Sequence, residues 1–242
     1  MKSGFWYKFF IQPLFNILIL FYLIFGNLGI AIIVITLLIR LILLPTSLKA
    51  AYSQKQLAKL APELKKIQKK YKANREKLAQ AQLELYKKYK INPASSCLPL
   101  LIQFPILIAL YIVLKDGLTP QYFDQLYSFV PRPSEINTLF LGIDLSLPNL
   151  TTPISSLPFK YYILPILAGI SQFILSLLTL PKRKEKKDTP EQVMTKQMLF
   201  IFPLMTVLIG IKLPAAIVLY WLVSVLFGIF QQIYINSKLK NL

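Results

Sequence analysis

The sequence predicts an all-α fold, a polytopic integral membrane protein whose helices cross the bilayer five times. Three observations carry this. The 242-residue chain is 55% apolar with a mean hydropathy of +0.54, well above a soluble domain of this length. It is also strongly basic, with 28 Lys+Arg against 10 Asp+Glu. The apolar and basic residues fall in separate blocks, as they do when apolar blocks lie in lipid and basic blocks lie in water on one side. An AT-rich genome that inflates Lys and Ile would account for the size of the charge, but not for its placement along the chain.

A bilayer core of ~30 Å takes about 20 apolar residues as helix. Residues 1–27 hold a first apolar block that carries Gln12, Pro13 and Asn16, with aromatics at both ends. Those polar positions favour an amphipathic helix lying in the extracytoplasmic interface and leave a crossing as the alternative. No small-residue cleavage site or lipidation cysteine is found there, so this block is expected to stay in the mature protein. The first span is 28–48 and contains Arg40.

Residues 49–92 form a basic cytoplasmic segment. Within it, 49–90 carries 13 Lys+Arg and 3 Asp+Glu. Leu57, Leu60, Leu64, Ile67 and Tyr71 follow a 3-4-3-4 spacing, and Leu78, Ala81 and Leu85 resume it after Lys72-Ala73-Asn74. This predicts two antiparallel helices joined by a short turn, with Pro62 bending the first. Lys65, Lys66, Lys69, Lys70 and Lys72 crowd the tip, where they confer solubility and attract anionic headgroups.

The second span is 93–115. Residues 116–158 are rich in Pro, Ser, Thr and Asn without a strong period, and predict an irregular outer loop with short helices. The third span is 159–180. A second basic loop follows at 181–196, with 6 Lys+Arg against 3 Asp+Glu, whereas 115–160 has 3 against 4. The fourth span, 197–211, is short. Lys212-Leu213-Pro214 interrupts a run too long for one crossing, which predicts a tight helical hairpin into the fifth span, 212–236. A tail, 237–242, carries Lys238 and Lys240. By the positive-inside rule the basic segments face the cytoplasm, which puts the N-terminus outside and the C-terminus in the cytoplasm.

Several chemistries find no residues. The chain has no histidine, and Cys97 is its lone cysteine, so neither an internal disulfide nor a His/Cys metal site is available. No Gly-rich lysine loop for a nucleotide is present. The expectation is a protein that is not an enzyme, with no cofactor, no metal and no DNA partner.

Arg40 is one of four arginines, with Arg75, Arg132 and Arg183. It lies ~18 Å along the helix from Leu28, past the midplane toward the cytoplasm. An arginine at helix centre costs about 2.5–3.5 kcal/mol on insertion scales. Snorkelling to the surface is the plain alternative. None of the five spans contains an Asp or Glu to answer the charge, which points to a hydrated cavity that opens to the cytoplasm and receives something acidic. Other spans offer polar faces for such a cavity. Thr36 stands one turn from Arg40. Gln103 lines up with Ser96 and Pro99, Gln172 with Ser176 and Thr179, and Trp221 with Ser224, Gly228 and Gln231. Small and polar residues also glue helices together, so each face alone says little.

Over about 10–237 the sequence resembles the YidC family of membrane-protein insertases. The resemblance rests on Arg40 with Pro45, Pro62-Glu63-Leu64, Leu85-Tyr86-Lys87-Lys88, Asn92-Pro93, and Leu98-Pro99-Leu100-Leu101-Ile102-Gln103-Phe104-Pro105. It continues with Leu141-Gly142-Ile143-Asp144-Leu145, Leu219-Tyr220-Trp221 and Gln231-Gln232. Their order and spacing together are the specific signal. The resemblance implies five spans around a hydrophilic groove, closed to the outside and open to cytoplasm and lipid. It implies Arg40 as the groove arginine, with Gln172 and Trp221 as companions, beside Thr36, Gln103, Ser176 and Ser224. It implies an interfacial first helix and a mobile hairpin that captures substrate. The implied partners are nascent membrane proteins and membrane lipids, with the ribosome and the Sec translocon as candidates.

Against that pattern the chain is expected to be a short form, without a large extracytoplasmic domain, a lipoprotein signal or a long basic tail after Tyr234. A small-solute transporter or channel with an anion site at Arg40 is the competing reading, although no internal repeat supports it. A third is an assembly chaperone that binds spans laterally.

Overall fold

The computed structural model describes residues 4–89, 91–92, 98–116, 120–148, 153–179 and 190–238. The fold is all-α apart from one two-stranded hairpin. A π-helical turn, Tyr7–Ile11, runs into α1 (Gln12–Phe25), which Gly26 ends in the left-handed conformation at φ 64°. Asn27 then caps α2 (Leu28–Ile42), its side-chain oxygen accepting from the Ile30 amide at 3.1 Å.

The first span expected at 28–48 is not one straight helix. The chain bends by 59° between Leu28–Ile42 and Leu44–Leu57. Pro45 sits in the first turn of α3 (Leu44–Lys70), where its missing N–H is harmless, while its ring would clash with a straight continuation of α2. The expected first span, 28–48, thus contains a bend at Leu43. α3 continues through Pro62 as one helix. α4 (Arg75–Lys88) begins at Asn74, whose side chain accepts from the Lys77 amide at 3.0 Å. Glu76 in its first turn and Lys87 and Lys88 in its last complement the helix dipole. α3 and α4 pack together with Leu60 and Leu85 buried, and the Tyr89 hydroxyl donates to Glu63 Oε1 at 2.8 Å.

α5 (Leu98–Asp116) leads to the segment expected to be the outer loop. That segment has the expected short helical turns, Pro120–Gln125 and Ile154–Ser156, and also a hairpin that periodicity did not announce. Strands β1 (Leu139–Phe140) and β2 (Ile143–Asp144) pair antiparallel across Leu141 and Gly142. Both turn residues have positive φ, 49° and 76°, the geometry that a two-residue hairpin loop needs.

The polar residues of the first block bind the segment 120–148. Gln12 Nε2 donates to the Gln125 carbonyl at 3.0 Å. Asn16, buried, donates to the same carbonyl at 3.3 Å and accepts from the Tyr127 amide at 2.7 Å. The Tyr22 hydroxyl accepts from the Asn137 amide at 2.9 Å.

The remaining helices are α6 (Lys160–Thr179), α7 (Pro190–Gly210) and α8 (Ala215–Lys238), with the last two joined by a turn at 211–214. α8 is central, packing on α2, α3, α5 and α6. Its first amides are satisfied from outside the helix: Ala215 N–H donates to the Leu147 carbonyl at 2.8 Å and Ala216 N–H to the Leu145 carbonyl at 2.9 Å. Those groups would otherwise be orphaned at a helix start. Among the described residues three helices are long and apolar enough to cross a membrane: Tyr7–Phe25, Lys160–Thr179 and Ala215–Lys238. The bent pair of α2 with the start of α3 makes a fourth, and Gln103–Lys115 and Leu199–Gly210 are shorter apolar helices.

Candidate functional site

Arg40 occupies the last turn of α2, where a cation suits the helix dipole. Its side chain is half-buried, and its Nε is fully buried without a hydrogen-bond partner. Arg132 pairs with Asp124 at 3.0 Å, exposed, in the segment 120–148. Among the described residues no carboxylate forms an ion pair with the Arg40 guanidinium.

The phenol of Tyr220 on α8 interacts electrostatically with Arg40. Tyr220 is 2% exposed, and its hydroxyl accepts a hydrogen bond from Gln103 Nε2 of α5. Three helices thus contribute polar groups to one place. Of the expected site residues, Arg40 and Gln103 meet here through a residue that the expected set omits. Tyr220 lies one helical turn before Ser224, on the same face. That spacing was the available signal, but a tyrosine among Leu219, Trp221 and Leu222 reads as core.

The other candidates are placed as follows. Thr36 is fully buried, and its hydroxyl donates to the Ile32 carbonyl of its own helix at 2.5 Å. Ser224 is buried on α8 with its hydroxyl unpaired among the described residues. Trp221 is half-buried on the same helix. Gln172 and Ser176 are half-buried on α6, which packs along α8. No hydrogen bond links Gln172, Ser176 or Trp221 to Arg40 among the described residues. Ser96 lies outside the described residues, and so does Pro93. At the far end of α8, Gln231 Oε1 accepts from the Ser47 hydroxyl at 3.1 Å, which fastens α3 to α8.

The sides of these helices that face away are apolar. On α6, Ile163, Ile166, Leu167, Ile170, Ile174 and Leu177 are exposed at helical spacing. On α8, Leu226, Phe230 and Ile233 are exposed. The hairpin tip is basic, with Lys66, Lys69, Lys70 and Lys72 exposed and Lys65 half-buried. Among the described residues no group of His, Cys, Asp and Glu could hold a metal ion.

Comparison with known proteins gives a consistent picture. The family described as 60Kd inner membrane protein matches residues 20–241. A Fusobacterium nucleatum protein named membrane protein insertase YidC is 36% identical over 213 residues, covering 88% of each chain. A Listeria innocua protein named membrane protein insertase YidC 2 is 33% identical over 246 residues, covering 99% of this chain and 75% of its own. Among solved structures, a crystal structure of an active YidC insertase with its first transmembrane domain resolved matches with a TM-score of 0.56 and 24% identity. That match covers 98% of this chain and 47% of the crystallised one, and it speaks to the fold alone.

Proposed function

The chain belongs to the 60Kd inner membrane protein family, and from that membership we propose that it inserts other membrane proteins into the lipid bilayer of a bacterium. The observation that carries the mechanism is Arg40, a half-buried guanidinium whose Nε has no acceptor among the described residues. An unsatisfied buried donor costs about 1–3 kcal/mol, and more when charged. It is relieved by an acceptor from elsewhere, and an acidic substrate tail supplies one.

In this reading five spans, 28–48, 93–115, 159–180, 197–211 and 212–236, surround a hydrophilic groove open to cytoplasm and lipid. The N-terminus is outside and the C-terminus in the cytoplasm. The N-terminal block lies in the outer interface, although it is long enough to cross. The basic hairpin, with Lys65, Lys66, Lys69, Lys70 and Lys72, meets the nascent chain first. Its hydrophilic tail then enters among Arg40, Gln103, Tyr220, Ser224, Gln172, Ser176, Trp221 and Thr36. Reduced polarity around Arg40 strengthens attraction to acidic residues relative to water. The substrate's apolar helix moves along the exposed stripe of α6 and the neighbouring side of α8, and its transfer into lipid supplies the driving force. No bond is made or broken. The names of the relatives favour this over solute transport. The ribosome and the Sec translocon are further partners in this reading.

Reconstitution tests it. Liposomes holding the purified protein are offered a small single-span substrate with an acidic tail, and protease protection of the tail is measured. Protection is expected only with the protein present, strongly reduced in Arg40→Ala and partly restored in Arg40→Lys. Absence of protection while the substrate stays soluble would sink the insertase reading. Equal loss for neutral-tailed substrates would make Arg40 a structural residue.

A further inference from the structure

A separate open cleft of about 440 Å³ lies where α3 leaves its bend and α8 ends. Leu48, Lys49, Tyr52, Tyr234, Ile235 and Lys238 line it, almost wholly through apolar atoms, so that its two lysines and two tyrosines contribute mainly their stems and rings. None of these is acidic. Lys238 Nζ stands 6.0 Å from the centre of the Tyr234 ring. The Ser47–Gln231 hydrogen bond holds the two helices together beside the cleft.

The depth of the cleft follows from length. α8 has 24 residues, which at 1.5 Å each is ~36 Å, slightly more than a ~30 Å hydrocarbon core. A helix that starts at the outer edge of that core brings its last turn to the opposite headgroup level. Tyrosines and lysines are the side chains that sit at this level, apolar body inward and polar tip outward. The two lysines, with no acidic residue in the lining, ask for an anion at the rim, and the apolar wall asks for something apolar attached to it.

We propose that this cleft binds an anionic phospholipid. Its phosphate lies between Lys49 and Lys238, and its acyl chain runs along Leu48 and Ile235. Free phosphate satisfies the charges but leaves the apolar wall in water. Such a lipid joins the root of the hairpin to the end of the last helix. The site stands or falls apart from insertion activity, because only lipid retention is measured.

The full chain is placed in nanodiscs of phosphatidylcholine with a minor fraction of phosphatidylglycerol, released, and its retained lipid identified by native mass spectrometry. Phosphatidylglycerol is expected to be retained selectively. K49Q/K238Q should weaken that retention by about fivefold for each lysine removed. K49R/K238R should keep it, K77Q/K87Q on α4 should leave it unchanged, and inorganic phosphate should fail to displace it. Unchanged retention in K49Q/K238Q overturns the proposal. So does an equal loss in K77Q/K87Q, which means diffuse attraction, or displacement by inorganic phosphate, which means an ion site. Should circular dichroism find K49Q/K238Q unfolded, K49R/K238R decides: retention supports the site and loss overturns it.

Discussion

The side-chain amide of Gln103 donates to the hydroxyl of Tyr220, joining α5 to α8 beside Arg40. Tyr220→Phe removes the acceptor and leaves the amide short of a partner in a largely apolar setting. A loss of about 1–2 kcal/mol in stability is expected, read as a lower unfolding temperature in detergent. Acidic-tailed substrates should insert less well in the liposome assay. A variant with unchanged unfolding and unchanged insertion would remove Tyr220 from the site.

α6 and α7 meet closely at Gly169. A Cβ there would fall 2.4 Å from Val207 Cγ2 and 3.2 Å from the Pro203 carbonyl oxygen. Gly169→Ala should destabilise the pair by about 1–3 kcal/mol through overpacking. Val207→Ala in the same chain should recover much of it, because the nearest clash is with a side chain. Thermal unfolding of the two single variants and the double variant measures the coupling, and additive effects would argue against a direct contact.

Asn16 fastens α1 to the outer segment through its bonds to Gln125 and Tyr127. Asn16→Leu leaves the part-buried Tyr127 amide without its acceptor, at a cost of about 1–2 kcal/mol. Amide exchange across 120–130 should accelerate while exchange in α3 and α4 stays the same. Unaltered exchange at Tyr127 would show that its protection has another source.

Asp144 sets a pH dependence. Burial pushes its carboxyl up, but hydrogen bonds from Thr138 and from the Ser146 amide and hydroxyl outweigh that and hold it below the usual carboxylate range. A depressed folded-state pKa means stability that is present above the unfolded value, near 3.9, and lost as pH falls through the folded value. Exchange protection over 138–147, corrected for intrinsic rates, should stay level from neutral pH to about 4 and fall below it. Asp144→Asn should lower protection by about 1 kcal/mol at neutral pH and abolish the acid decline. A decline that persists in that variant would assign it to another group.

Much of the architecture can be read from composition along the chain. Apolar blocks of bilayer length, the 3-4 spacing from Leu57 to Tyr71 and the Asn74 turn are local patterns, and helices form from local patterns. The bend at Leu43 is not legible in hydropathy, because apolarity continues across it and hydropathy is blind to direction. The outer hairpin was missed because two strands of two residues have no period to detect. Gln12 and Asn16 read as interfacial because polar residues in an apolar block suggest a headgroup neighbour. Their hydrogen-bond partners, Gln125 and Tyr127, lie more than a hundred residues away.

The sequence by itself determined the membrane-embedded all-α class, the basic hairpin and the solitary Arg40 with no carboxylate in its spans. These follow from which residues are present and how they are spaced. Only the tertiary structure decided who meets Arg40. It brought Tyr220 within electrostatic reach of Arg40 and joined Gln103 to Tyr220, and it turned Thr36 back onto its own backbone. It also set Leu145 and Leu147 carbonyls over the start of α8. Such pairings depend on how helices cross, and crossing is settled by packing between segments that are far apart in the chain.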